Sequence, residues 1–171
     1  SKIRRAGYMI FVTVGTEKFS FDRLLKAIDH ALDQGVIKEE VIAQSGYSSY
    51  VPRHFRGENF IGFDQMKKNI EEANVVVSHA GIGSTLLCLS LGKIPILFPR
   101  FKKWGEHLDD HQSDFSRKID TVGKVLVAYD EKQLIDYVIH YQDRIAALKK
   151  FSMSKTKSDL VLYLEKMVTR K

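Results

Sequence analysis

The chain has 171 residues, length for one domain of ordinary size with a sizeable core. Its hydrophobic share of 44% and charged share of 28% are those of a globular protein, and no apolar run approaches the roughly 20 residues of a membrane span. The net charge of +6 suits nucleic acid, an anionic membrane surface or a phosphorylated ligand, but Lys and Arg are spread along the chain instead of gathered with aromatics, which disfavours nucleic acid.

Residues 1–8, "SKIRRAGY", read as an expression scar or disordered extension, and residues 9–171 as a single domain. Ile10 to Val14 is a short β-branched run, a strand buried on both faces. Gly15 and Thr16 break it. Apolar residues at helical spacing from Phe21 to Leu32 predict a helix ending at Gly35. "VIAQS" from Val41 is a second strand, Gly46 to Gly57 a loop, and "FIGF" from Phe60 a short third strand. Asp64 is a suitable cap for a helix to about Ala73. Val75 to Val77 is a strand, and a helix opens at Ile82 or Gly83 and ends near Gly92. Ile94 to Phe98 is a strand stopped by Pro99. A helix from about Leu108 to Ile119, a strand from Lys124 to Tyr129 and an Asp130-capped helix over Glu131 to Lys149 follow. A last helix is expected from about Lys155 to Val168.

Near-continuously apolar strands alternating with helices predict a Rossmann-like, doubly wound α/β fold with a mainly parallel sheet of about six strands. In such folds ligands bind beyond the carboxyl ends of the strands, near the point where strand order reverses. The loops at Gly15, Gly46, His79 and Pro99 all follow strands and should crowd that edge.

In "SHAGIGST" (Ser78–Thr85), Gly81 and Gly83 allow a ligand close to the backbone, and the next helix points free amides and its positive dipole end at the loop. Ser84 and Thr85 add hydroxyls, and His79 can donate to a phosphate oxygen. A plain strand–helix turn capped by His79 is the competing reading. Gly15 and Thr16 form a second such loop. Asp109, Asp110, His111 and Gln112 open a predicted helix, where acids favour the dipole; carboxylate beside amide also suits sugar hydroxyls. His107 and His111 are four apart, but nothing else suggests a metal. There is no G-x-S-x-G elbow and no Walker A lysine. Cys88, the only cysteine, excludes an intrachain disulfide and sits at core spacing as an inert thiol.

The ordered set "IFVTVGT", "AQSGYSSYVP", "SHAGIGS", "LGKIPILFPR" and "EHLDDHQ" resembles the C-terminal, donor-binding half of family-28 GT-B glycosyltransferases. It resembles most the separate subunits that consist of that half alone. These include the eukaryotic dolichol-linked N-acetylglucosaminyltransferase type and, through "PR…K…GEHLDDHQ", the bacterial capsular and exopolysaccharide β-1,4-galactosyltransferase type. The resemblance implies that Gly15, Thr16 and the turn His79, Ala80, Gly81, Gly83, Ser84 and Thr85 hold the diphosphate of a UDP-sugar. It also implies that Gln44, Ser45, Gly46 and Tyr47 line the nucleotide pocket, and that Asp109, His111 and Gln112 face the sugar or phosphate side. Many relatives carry a glutamate for the ribose on the helix after "HAG"; the matching residue here is Leu87, so ribose recognition must differ.

The resemblance further implies inverting transfer of a hexose, galactose favoured, from a UDP-sugar to a lipid-linked saccharide. The UDP-sugar is a substrate and no cofactor is expected. The general base and the acceptor site would lie on a membrane-anchored partner subunit, placing the chain in the cytoplasm at the inner face of the membrane. A homodimer of the isolated chain is a further expectation. The "FPRFKKW" loop, with Phe98, Phe101 and Trp104, is a candidate surface for partner or anionic lipid; a packed Trp104 anchor is the alternative. A non-catalytic UDP-sugar-binding regulatory subunit and a basic nucleic-acid binder are the other readings.

Overall fold

A computed structural model describes residues 7–152 together with Leu162 and Lys166. Six strands, β1 (Met9–Thr13), β2 (Glu40–Gln44), β3 (Arg56–Glu58), β4 (Val75–His79), β5 (Ile96–Phe98) and β6 (Leu126–Val127), form one sheet in the order β3-β2-β1-β4-β5-β6. Every pairing is parallel. The helices are α1 (Asp22–Asp33), α2 (Phe63–Glu72), α3 (Ile82–Ser90), α4 (His111–Asp120), α5 (Glu131–Ile139) and α6 (Tyr141–Ser152), with a short 3-10 turn at Lys102–Trp104. The expected doubly wound α/β fold is present.

The strands are apolar throughout because both faces are covered. Ile10 and Val12 of β1 pack with Leu24, Leu25 and Ile28 of α1 and Leu134 and Val138 of α5. Phe11 of the same strand points the other way, onto Ile70 of α2 and Cys88 of α3. A third cluster joins Leu97 and Val127 to Phe115 and Ile119 of α4. Gly35 closes α1 as its spacing predicts, at φ +71 with its N–H bonded to the Leu32 carbonyl.

The chain adds β2 and β3 on one side of β1, then returns to place β4 on the other side and continues outward. Strand order therefore reverses between β1 and β4, where Thr13 lies in register with Ser78. The loops after these two strands leave in opposite directions and open a crevice between them.

Several local expectations are corrected. The third strand is Arg56–Glu58, not "FIGF"; it is an exposed edge strand held by backbone pairing to Ile42, Ala43 and Gln44, so it carries no apolar signature. Phe60 and Phe63 stay exposed, and Gly62, not Asp64, caps α2; Asp64 lies in the first turn. Helix α4 begins at His111, leaving Leu108 and Asp109 in the preceding loop. The helix expected from Glu131 to Lys149 breaks at His140, which lets Tyr141 become buried and donate its hydroxyl to the Ile94 carbonyl at 2.6 Å. Tyr8, read with the N-terminal extension, packs partly buried against the main core. The helix expected over 155–168 lies outside the described residues except for Leu162 and Lys166.

Candidate functional site

At the reversal point, His79 ends β4 and is almost wholly buried. Its Nε2 lies between two glycines: a Cβ on Gly15 would come within 2.4 Å of that atom, and one on Gly81 within 2.3 Å. The two missing side chains make room for the imidazole and leave Nε2 as the ring's route to the crevice. Nδ1 is buried without a hydrogen-bond partner. With an anion beside Nε2, the proton belongs on that nitrogen, which donates to it. Burial, and secondly the Arg100 charge, push the His79 pKa down to about 3 against the weaker pull of the Thr13 backbone. The ring is neutral at neutral pH.

Helix α3 starts immediately beyond. Its cap, Gly81, is extended and no side chain caps it. The amides of Ile82, Gly83 and Ser84 have no acceptor within the helix, and they carry its positive dipole end. A Cβ on Gly83 would meet nothing within 4 Å, so open space faces this turn. Ser84 is half-buried and Thr16 is exposed on the facing loop. Ala80 is buried in the α4-side cluster, and Thr85 is fully buried with its hydroxyl donated to the Gly81 carbonyl at 2.8 Å. Thr85 therefore stands behind the turn and presents no free hydroxyl to a ligand.

Under the crevice lies a cation that the sequence did not single out as buried. Arg100 has no exposed surface. Its Nη1 donates to the Phe19 carbonyl at 2.8 Å and the Glu106 carbonyl at 2.9 Å, and its Nη2 to the Val14 carbonyl at 2.6 Å. It thereby joins the loop after β1 to the loop after β5. Burial pushes its pKa down to about 10, with Glu106 and Glu17 opposing, so it stays charged at neutral pH. Glu106 is buried and paired twice with Arg23, at 2.8 Å and 3.1 Å, and also accepts the Phe101 N–H. Because Glu106 is matched by Arg23, the Arg100 charge adds to the α3 dipole as positive potential below the crevice. Reading Arg100 and Phe98 as part of a solvent-facing basic loop is thus corrected: both are fully buried, while Phe101 is half-buried and Trp104 is 60% exposed.

On the far rim, Asp109 sits between two imidazoles, with His107 Nδ1 and His111 Nδ1 each 3.1 Å from its carboxylate. The His111 N–H foremost holds its carboxyl below the usual range. The His111 ring is exposed. Gln112 is buried and accepts the Arg100 N–H through Oε1 at 3.3 Å, which leaves its Nε2 as the atom to offer a ligand.

The loop after β2 behaves differently. Gln44 is buried and its amide is fully engaged: Oε1 accepts the Thr13 hydroxyl at 2.6 Å, and Nε2 donates to the Gly15 and Asn59 carbonyls. Ser45 is buried against Glu58 and Asn59. Gly46 is at φ +54, and a Cβ there would come 2.6 Å from the Gly15 carbonyl. Gln44, Ser45 and Gly46 therefore shape the floor under the Gly15 loop. Tyr47 is half-exposed, edge-on to Phe60 at 5.0 Å, and with Val51 is one of the exposed side chains of this loop. Leu87 packs beside Phe11, Val76 and Cys88 and offers no polar group.

A groove of about 1000 Å³ runs along the β2–β3 edge beside Gln65 and Asn69 and includes none of Gly15, His79, Gly81 or Asp109. Among the described residues no cluster of three or more His, Cys, Asp or Glu has metal-binding geometry.

A profile described as the glycosyltransferase family 28 C-terminal domain matches residues 9–163. The chain belongs to this family. Over 123 residues the family-28 domain is 32% identical to the UDP-N-acetylglucosamine transferase subunit ALG13 of Mus musculus, a match covering 66% of this chain and 10% of that protein. The Homo sapiens protein of the same name is also 32% identical, over 67% of this chain and 10% of its own length. The chain thus spans a tenth of the length of these relatives. Similar solved structures include ALG13 in solution, with a TM-score of 0.51 at 18% identity over 80% of this chain and 85% of that one. Another is Os79 from O. sativa, solved with UDP, with a TM-score of 0.57 at 13% identity over 87% of this chain and 36% of that one. These likenesses establish the fold, a GT-B-type Rossmann-like sheet.

Proposed function

We propose that the crevice between β1 and β4 binds the diphosphate of a UDP-sugar, and that the chain is the donor-binding subunit of a two-component inverting glycosyltransferase. The observation that carries the reading is the uncapped N-terminus of α3, with Gly83 facing open space and His79 Nε2 beside it. Amides and a neutral imidazole N–H can hold the diphosphate without a counter-charge that must be stripped of water. As the donor bond breaks, negative charge grows on the leaving diphosphate, and the fixed α3 dipole and buried Arg100 stabilise it there. Gln112 Nε2, Asp109 and exposed His111 are placed to hold sugar hydroxyls. Tyr47 is the outward-facing aromatic for the base, and ribose contacts come from residues other than Leu87.

In the reaction an acceptor hydroxyl oxygen forms a bond to the anomeric carbon while the bond to the diphosphate oxygen breaks and UDP departs. The acceptor proton passes to a general base on a membrane-anchored partner subunit, which also holds a lipid-linked saccharide at the inner face of the membrane. The word "subunit" in the names of the relatives supports a partner. Those names specify N-acetylglucosamine, whereas the "GEHLDDHQ" segment resembles the galactosyl type of capsular and exopolysaccharide synthesis, so the donor is settled by assay.

The test is transfer from UDP-galactose, UDP-glucose and UDP-N-acetylglucosamine by the chain with and without a candidate acceptor subunit. Transfer from one of them, lost in His79→Gln, is expected. No transfer from any donor with the partner present overturns the reading, and UDP binding with turnover unchanged by His79→Gln would mark a non-catalytic subunit.

A further inference from the structure

Strand β3 is the edge of the sheet, and its residues Arg56, Gly57 and Glu58 are all exposed. Along a strand, the N–H and C=O of one residue point to one side and those of the next residue to the other. The Glu58 carbonyl accepts the Ser45 N–H at 2.8 Å, so Arg56 and Glu58 turn their backbone groups toward β2. Gly57 therefore turns its N–H and C=O outward, and neither has a partner among the described residues. Arg56 lies in register with Ile42 and Glu58 with Gln44, which puts both charged side chains on one face of the sheet. Neither forms an ion pair among the described residues.

Exposed edges are usually guarded against pairing by charges of one sign, a proline or a bulge. Charges of one sign would repel a second copy laid against the same edge. The run here is cation, glycine, anion, and read in reverse it is its own complement. Set antiparallel about Gly57, two copies exchange two hydrogen bonds between their Gly57 residues. Arg56 of each copy then stands opposite Glu58 of the other, with Cβ atoms about 4.5–5.5 Å apart. The next pair outward is Phe55 with Asn59, so no like charges oppose each other. The groove along this edge carries both signs, Glu40 and Glu58 with Arg53 and Arg56, and so selects neither an anionic nor a cationic ligand. A second copy meets both signs at once, because it supplies the same residues in the opposite order.

We propose that two copies of the chain join antiparallel at β3, merging their sheets into one about a two-fold axis through Gly57. The contact is isologous, each copy offering Arg56 to Glu58 of the other. A three-residue edge makes a small interface, so the dimer is weak and reversible. The join uses none of the crevice residues, and the inference stands without the donor reading.

Sedimentation equilibrium of the full chain should show a reversible monomer–dimer equilibrium. Arg56→Glu sets acid against acid at both pairs, and Glu58→Arg sets base against base. Each should raise the dimer dissociation constant by about tenfold or more. Mixing the two variants restores both pairs, so the mixture should associate at least as tightly as the unaltered chain while each variant alone dissociates. Gly57→Pro removes the outward N–H and spares the bonds to β2, so it should abolish the dimer without lowering the unfolding temperature of the monomer. A chain that stays monomeric up to its solubility limit overturns the proposal. So does a dimer that survives all three substitutions, or a mixture of the two charge variants that fails to associate. If the acceptor subunit slows hydrogen exchange at the Gly57 amide while the chain alone is monomeric, the edge belongs to that subunit and the proposal is overturned equally.

Discussion

His79 Nε2 occupies the space that side chains on Gly15 and Gly81 would fill, at 2.4 Å and 2.3 Å from the respective Cβ positions. The neighbouring atom is part of a buried, rigid ring, so neither collision has a flexible way out. Gly81→Ala, at an ordinary φ, should destabilise by about 1–3 kcal/mol through overpacking. Gly15→Ala adds the left-handed backbone at φ +78 and should lose about 1–2 kcal/mol more. Gly83→Ala is the contrast: it meets nothing and lies in α3, so stability should hold or rise by up to about 1 kcal/mol. Thermal unfolding ranks the three, and loss of UDP binding in Gly83→Ala without loss of stability would mark that open space as ligand space.

Acid should weaken the fold through His79. Its pKa falls from 6.5 to about 3 in the folded chain, so the unfolded chain binds the proton more readily. The stabilisation is fully present above pH 6.5 and is lost progressively as pH falls from there toward 3. Between pH 8 and pH 5 this one group should account for about 2 kcal/mol. Urea unfolding at both pH values checks it, and the difference should shrink by that amount in His79→Gln.

Arg100 ties two loops through three carbonyls 6 to 86 residues away in sequence. Arg100→Met would strand those acceptors in a buried place and should cost about 3–5 kcal/mol. Arg23→Met and Glu106→Gln should each be destabilising and non-additive, with a coupling of about 0.5–3 kcal/mol in a double-mutant cycle. Additive effects would show that the pair contributes little.

Asp29 organises the long loop after β2. Its buried carboxylate accepts the Tyr50 hydroxyl at 2.6 Å, the Arg53 N–H at 3.0 Å and the His54 N–H at 2.9 Å. Asp29→Asn replaces an acceptor oxygen with a donor and should cost about 1–3 kcal/mol. Amide exchange should quicken at Arg53 and His54 and remain slow in β1.

Cys88 lies buried in α3, and burial pushes its thiol pKa up to about 12. No reaction with a disulfide reagent is expected at pH 8 in the native chain, and one thiol per chain should react in denaturant. Native reactivity would show that α3 opens.

The apolar runs at Ile10–Val14 and Val75–Val77 were legible because burial on both sheet faces demands unbroken hydrophobicity. That pattern alone implies parallel strands, and parallel strands place the loops at Gly15, His79 and Pro99 on one edge. The third strand was not legible: Arg56–Glu58 is held by backbone hydrogen bonds at an exposed edge, which asks nothing of its side chains. "FIGF" looked like a strand because its aromatics are apolar, yet Phe60 and Phe63 are exposed.

Within the candidate site, residue type pointed to segments that meet at one edge of the sheet and not to which of their atoms face it. Chain order and hydrophobic period, both local properties, were enough for the sheet, its alternation with helices and the edge where its loops meet. Which side chains face outward depended on contacts distant in sequence. Gln44 is consumed by Thr13, Gly15 and Asn59, and Thr85 by its own helix. Arg100 looked like one more surface cation in "PRFKKW", but three backbone carbonyls from separate loops converge on it and make burial of its charge tolerable. Such convergence has no sequence period, because it forms only when the loops after β1 and β5 are brought side by side.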